Sequence, residues 1–86
     1  MSRFRIEFLP RAAKDYRRLP APIQERVARA LERLLGEPLA GKPLQGPFAG
    51  LRSLRVGEYR VAYRAEASSR TLLVHAIGHR RDVYRP

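Results

Sequence analysis

The sequence predicts an α+β domain spanning residues 1–86, in the order strand, helix, helix, then three strands. Two N-terminal helices are expected on one face of a mainly antiparallel four-stranded sheet. Three observations predict it. Residues 51–64 alternate apolar and polar side chains on either side of Gly57-Glu58, residues 23–35 carry an apolar stripe at helical spacing, and the length of 86 residues allows one modest core. A chain this short buries only about 60% of its unfolded surface, so it has no room for a second core.

Along the chain, Phe4-Arg5-Ile6-Glu7-Phe8 alternates and reads as a first strand with Phe4, Ile6 and Phe8 inward. Pro10 suits the first turn of a helix. Ala12, Tyr16 and Leu19 then keep helical spacing, Arg11 and Asp15 stand at i, i+4, and Pro20 closes the element. Pro22 opens a second helix, whose stripe is Ile23, Val27, Ala30, Leu31, Leu34 and Leu35, with Gln24, Glu25, Arg29, Glu32 and Arg33 on a solvated face. Gly36 and Pro38 stop it. From Gly36 to Gly50 the glycines and prolines break any regular element, and this is expected to be a long loop pinned by Leu39, Leu44 and Phe48.

The hairpin follows. Leu54 and Val56 share one face of its first strand and Ser53 and Arg55 the other; Tyr59, Val61 and Tyr63 share one face of its second strand and Arg60 and Arg64 the other. Ala67 to Arg70 is a turn, and Thr71 to Ile77 is a nearly continuous apolar run whose phase cannot be read, as expected of a central strand. His75 within it is expected to be a structural or surface histidine rather than a catalytic one. The chain ends in Gly78-His79-Arg80-Arg81-Asp82-Val83-Tyr84-Arg85, which gathers an imidazole, three guanidiniums and a phenol.

Composition narrows the function. Eighteen Lys and Arg against eight Asp and Glu give a net charge of +10, and Lys14 and Lys42 are the only lysines. The planar fork of arginine grips phosphate at two points, so the bias suits a nucleic acid, and a strongly acidic protein partner fits it too. The excess is +5 in each half of the chain, so only the fold can decide whether it forms a face. No cysteine is present, and no apolar run is long enough to span a membrane. The first residues lack the apolar core of a signal peptide, and a cytoplasmic location is expected. With two histidines and no clustered carboxylates, a metal centre has little support, and no cofactor is expected.

The element order, Leu44-Gln45-Gly46 in the Gly/Pro loop, Leu54 to Tyr63, and the terminal Gly78 to Tyr84 together resemble the RelE/ParE superfamily of bacterial and archaeal toxins, and the tail resembles the RelE branch more than the ParE branch. That resemblance implies a toxin of a type II toxin–antitoxin system, held inactive by an acidic RelB-like antitoxin. It implies a ribosome-dependent endoribonuclease that cuts mRNA in the A site, with the RNA 2′-hydroxyl as nucleophile and no metal. Carried over by position, Arg60 and Arg80 stabilise phosphate charge, His79 and Tyr84 share acid and base work, and Arg52, Ser53, Arg55 and Arg81 bind RNA. Ser53 and Arg55 stand where the best known RelE-branch members have lysines, and an arginine does not act as a base. A ParE-like toxin, which binds and inhibits DNA gyrase without cutting RNA, is the alternative. A nonenzymatic RNA-binding module is disfavoured, because Phe4, Phe8, Tyr59 and Tyr63 are expected in the core and few of the seven aromatics remain to stack on bases.

Overall fold

The computed structural model describes residues 4–79. Strand β1 (Arg5–Phe8) leads into helix α1 (Pro10–Arg18) and helix α2 (Ala21–Gly36). A two-residue strand β2 (Lys42–Pro43) and a single 3-10 turn (Gly46–Phe48) lie in the loop that follows. The chain then forms β3 (Arg52–Val56), β4 (Tyr59–Glu66) and β5 (Thr71–His79). The sheet order is β1-β5-β4-β3-β2, with β1 parallel to β5 and every other pair antiparallel. The expected four strands are joined by a fifth, β2, because Lys42 and Pro43 pair with Ser53 and Arg52 at the sheet edge. Pro43 has no N–H to give a ladder, and an edge is the place in a sheet that tolerates it.

Each helix exists for the reason its pattern gives. Pro10 and Pro22 occupy first-turn positions, where a missing N–H costs nothing. Val27, Ala30, Leu31 and Leu34 of α2 are buried, as is Ala12 of α1, and all five join one cluster with Val56, Val61, Tyr63, Leu72, Val74 and Ile77 of the sheet. The helices clasp each other at one point: the Tyr16 hydroxyl donates to the Gln24 carbonyl at 3.2 Å while the Gln24 side-chain amide donates to the Tyr16 carbonyl at 2.8 Å. Helix α1 is tied to the sheet by Asp15, whose carboxylate accepts the Ile77 backbone N–H at 3.0 Å. A backbone donor of β5 is thereby satisfied from a helix.

The apolar run of β5 hides its phase for a structural reason. A bulge shifts the β4–β5 register between Ala62 and Tyr63, so that Ala62 faces Ala76 while Tyr63 faces Val74, and His75 is the extra residue. One inserted residue turns the side-chain alternation over on itself.

Of the three side chains expected to pin the long loop, Leu44 and Phe48 are half-buried and Leu39 is not. Leu39 is 64% exposed and pins nothing. Instead Tyr63, fully buried, donates its hydroxyl to the Pro38 carbonyl at 2.8 Å and accepts the Gly41 N–H at 2.9 Å. Arg52 adds bonds to the carbonyls of Leu39 at 3.1 Å and Gly41 at 2.8 Å. Gly41 makes this approach possible, since a methyl group there would lie 2.6 Å from the Tyr63 hydroxyl. Burial raises the Tyr63 pKa, and the Gly41 N–H and the Arg52 charge offset that only in part.

Removing the hydroxyl leaves the Gly41 donor unpaired. Tyr63→Phe should therefore cost about 1–3 kcal/mol of unfolding free energy in a urea titration. Because the folded state holds the phenolic proton more tightly than the unfolded chain, the parent should also lose stability as pH climbs past about 10, and the variant should lack that contribution.

Candidate functional site

The pairing of β3 with β4 sorts their side chains into two faces. Leu54 faces Val61 and Val56 faces Tyr59 on the side covered by the helices; Arg55 faces Arg60 and Ser53 faces Ala62 on the other. On that far side β5 contributes Gly78 opposite Arg60 and Ala76 opposite Ala62, and β2 contributes Lys42 opposite Ser53. Ala62 and Ala76 form a small cluster of their own, separate from the main core. The far face thus has a floor of small side chains flanked by cations, and among the described residues no α-helix is packed on it.

Two of those cations stand directly across the ladder. Arg55 and Arg60 are register partners, and like charges placed opposite each other on neighbouring strands weaken a sheet. Local geometry orients both. The Arg60 guanidinium is half-buried and donates to the Ser53 hydroxyl at 3.4 Å, while Arg55 is exposed and donates through Nε to the Gly57 carbonyl at 3.2 Å. Neither is paired with a carboxylate among the described residues, so both retain donors for an incoming anion. Such a pair can hold the non-bridging oxygens of a phosphodiester and favour extra negative charge on them.

The other residues singled out from sequence divide. Ser53 belongs to the site as the partner of Arg60. Arg52 does not stand with them: its register partner is Tyr63, and its guanidinium is spent on the loop carbonyls. His79 ends β5 opposite Tyr59, with ring centroids 6.0 Å apart at 72°, so the pleat sets its ring on the Tyr59 side rather than the Arg60 side. Arg80, Arg81 and Tyr84 lie outside the described residues. Lys42 was missed, and only register reveals it, since ten residues and a loop separate it from Ser53.

His75 is the one group here with a resolved shift. Its pKa is lowered first by burial and then by the charge of Arg64, and its Nε2 is buried without a hydrogen-bond partner. Neutral imidazole is the favoured form. Among the described residues, no group of three or more His, Asp and Glu side chains stands together as a metal site requires.

A second surface lies on the helix side. Ile6, Phe8, Ala13, Tyr16, Arg17, Ala28 and Leu31 line an apolar groove of about 460 Å³ beside β1, whose outer edge pairs with no other strand among the described residues.

Comparison with known proteins agrees with this architecture. A family model described as the ParE toxin of the type II toxin–antitoxin system parDE matches residues 6–84. The chain is similar to the toxin RelG of Mycobacterium tuberculosis, with 37% identity over 95% of this chain and 97% of that protein. The same organism's toxin RelE is 32% identical over 95% of this chain and 87% of that protein. Among solved structures, the toxin–antitoxin complex RelBE2 from M. tuberculosis superposes with a TM-score of 0.83 at 34% identity, covering 92% of this chain and all of that one. The archaeal RelE–RelB complex from Pyrococcus horikoshii shares the fold, with a TM-score of 0.76 at 22% identity, over 93% of this chain and 98% of that one.

Two outcomes follow from the charges on the far face. Arg55→Thr should raise stability by a few tenths of a kcal/mol by relieving the repulsion across the ladder, and the gain measured by urea unfolding should shrink as salt is added. Because His75 is held neutral in the folded state while the unfolded imidazole protonates near 6.5, stability should fall as pH drops below about 6.5, and His75→Gln should flatten that dependence.

Proposed function

This chain belongs to the RelE/ParE toxins of type II toxin–antitoxin systems, and on that footing we propose that it is a ribosome-dependent endoribonuclease of the RelE type, acting on mRNA in the cytoplasm. The observation that carries the proposal is the Arg55–Arg60 pair on a face with small residues beneath it. A fold gains nothing by setting two guanidiniums opposite each other, whereas a phosphodiester bound between them turns the repulsion into binding.

In this reading the RNA 2′-hydroxyl attacks the adjacent phosphorus, giving a 2′,3′-cyclic phosphate and releasing the 5′-oxygen. Arg60 holds an equatorial oxygen, kept in orientation by the Ser53 hydroxyl. Arg55 and the ammonium of Lys42, placed beside Ser53 by the β2–β3 pairing, add positive charge where the pentacovalent phosphate becomes more negative. Arg80 shares that task and Arg81 grips the RNA backbone. Proton transfer falls to Tyr84. His79 is the weaker participant because its ring leans on Tyr59, away from Arg60.

Control of the toxin is assigned to the helix side. An acidic RelB-like antitoxin can lay an apolar segment into the groove lined by Ile6, Phe8, Tyr16 and Leu31, with the outer edge of β1 beside it and Arg17 at its border. The net charge of +10 favours that encounter at long range.

Arg60→Ala and Tyr84→Phe should each relieve growth arrest on induction while leaving antitoxin binding intact. Mapping transcript 5′ ends after induction of the parent should show new ends within translated codons. Intact messages accompanied by double-strand DNA breaks would instead assign the protein to gyrase, and unchanged toxicity of both variants at equal expression would remove the site from this face.

A further inference from the structure

Arg26, Arg29 and Arg33 recur at three- and four-residue intervals and so share one face of α2. Opposite that face stands the β3–β4 turn. The three arginines, together with Arg55, Val56 and Gly57, line a cleft of about 380 Å³. The Arg26 guanidinium lies close over the turn: a methyl group on Gly57 would be 3.3 Å from both of its terminal nitrogens. Gly57 also has φ +61°, a conformation that side chains disfavour, so glycine both makes the turn and leaves room for the guanidinium.

The charge of this cleft is poorly matched from within. Arg29 has a carboxylate, Glu25 at 2.7 Å, but that pair is solvent-exposed. Arg26, Arg33 and Arg55 have none among the described residues. Gathering cations this way costs free energy unless an outside anion neutralises them. Its chemical class follows from the lining. Val56 is the one apolar side chain and is itself 8% exposed, so a peptide finds no apolar anchor here, in contrast to the groove beside β1. Planar forks without apolar neighbours suit phosphate oxygens.

Arg55 joins the two surfaces. Its register sets it opposite Arg60 on the far face, and it also lines the cleft with the arginines of α2. We propose that the cleft of Arg26, Arg29, Arg33 and Arg55 binds a backbone phosphate of the same RNA strand whose neighbouring linkage lies at Arg60, without regard to base. The strand then crosses the end of the hairpin, and the enzyme holds it at two places. This inference rests on the reading above only in taking RNA as the partner, not on its being cut.

Binding of fully 2′-O-methylated RNA, which offers no 2′-hydroxyl for cleavage, tests it on the full-length protein. A trinucleotide and a dodecanucleotide are titrated by fluorescence anisotropy at several salt concentrations, with the parent and with Arg26→Gln/Arg33→Gln. Both positions are exposed, and an unchanged urea midpoint checks the variant's fold. The parent should bind the longer strand more tightly and with a steeper salt dependence. Loss of the phosphate held in the cleft should weaken the variant's hold on the longer strand about tenfold and make its log–log salt slope shallower by about 0.7, with the trinucleotide unaffected. Equal affinity and slope for parent and variant overturn the proposal, as does failure of the parent to bind the longer strand at all. Weakened antitoxin binding with unchanged RNA binding overturns it in favour of a protein-docking cleft. Should 5′-end mapping show no cuts while the slope still falls, the binding cleft stands and the nuclease reading fails.

Discussion

The register between β3 and β4 constrains everything else in this molecule. Slipping it by one residue would carry Arg55, Arg60 and Arg64 into the core and leave Val56, Val61 and Tyr63 in water. The turn at Gly57 sets the register, and the buried side chains of both helices reward it. Because one core uses the apolar side of the sheet completely, the opposite side is free to hold residues that do nothing for stability. In a domain of 86 residues, with one modest core, that side of the sheet is a large surface released from folding.

What occupies that surface is chosen against stability. Arg55 opposite Arg60, and His75 kept neutral beside Arg64, both disfavour the folded state in one charge form or another. A sheet selected only to fold would place opposite charges or threonines there. Ser53 limits the damage by accepting a hydrogen bond from Arg60, which also removes freedom from a long side chain that needs a fixed direction to be useful.

The molecule carries two surfaces of different chemistry. Apolar lining and a strand edge unpaired among the described residues lie beside β1, whereas guanidiniums lie on the far face and around the end of the β3–β4 hairpin. The family model carries the ParE name while the curated relatives carry RelE and RelG names, and both types share one scaffold. Function on such a scaffold follows from the side chains that meet on its surface and not from the fold itself.

The chain by itself determined the helices, the hairpin, the Gly57 turn and the inward set Ile6, Phe8, Val27, Leu31, Leu34, Val61 and Tyr63, because periods of 3.6 and 2 are local properties of neighbouring residues. For the same reason Ser53, Arg55 and Arg60 were legible as one face. Only tertiary structure decided matters that depend on pairing between distant segments. The parallel docking of β1 on β5, the bulge that displaces His75, the diversion of Arg52 and Tyr63 to hold residues 38–41, and the arrival of Lys42 beside Ser53 are all of this kind. The arginines of α2 show the division most clearly. Their spacing marks a common helix face in the sequence, but a face of charge is ordinary on a solvated helix, and it becomes a cleft only when the hairpin turn closes against it.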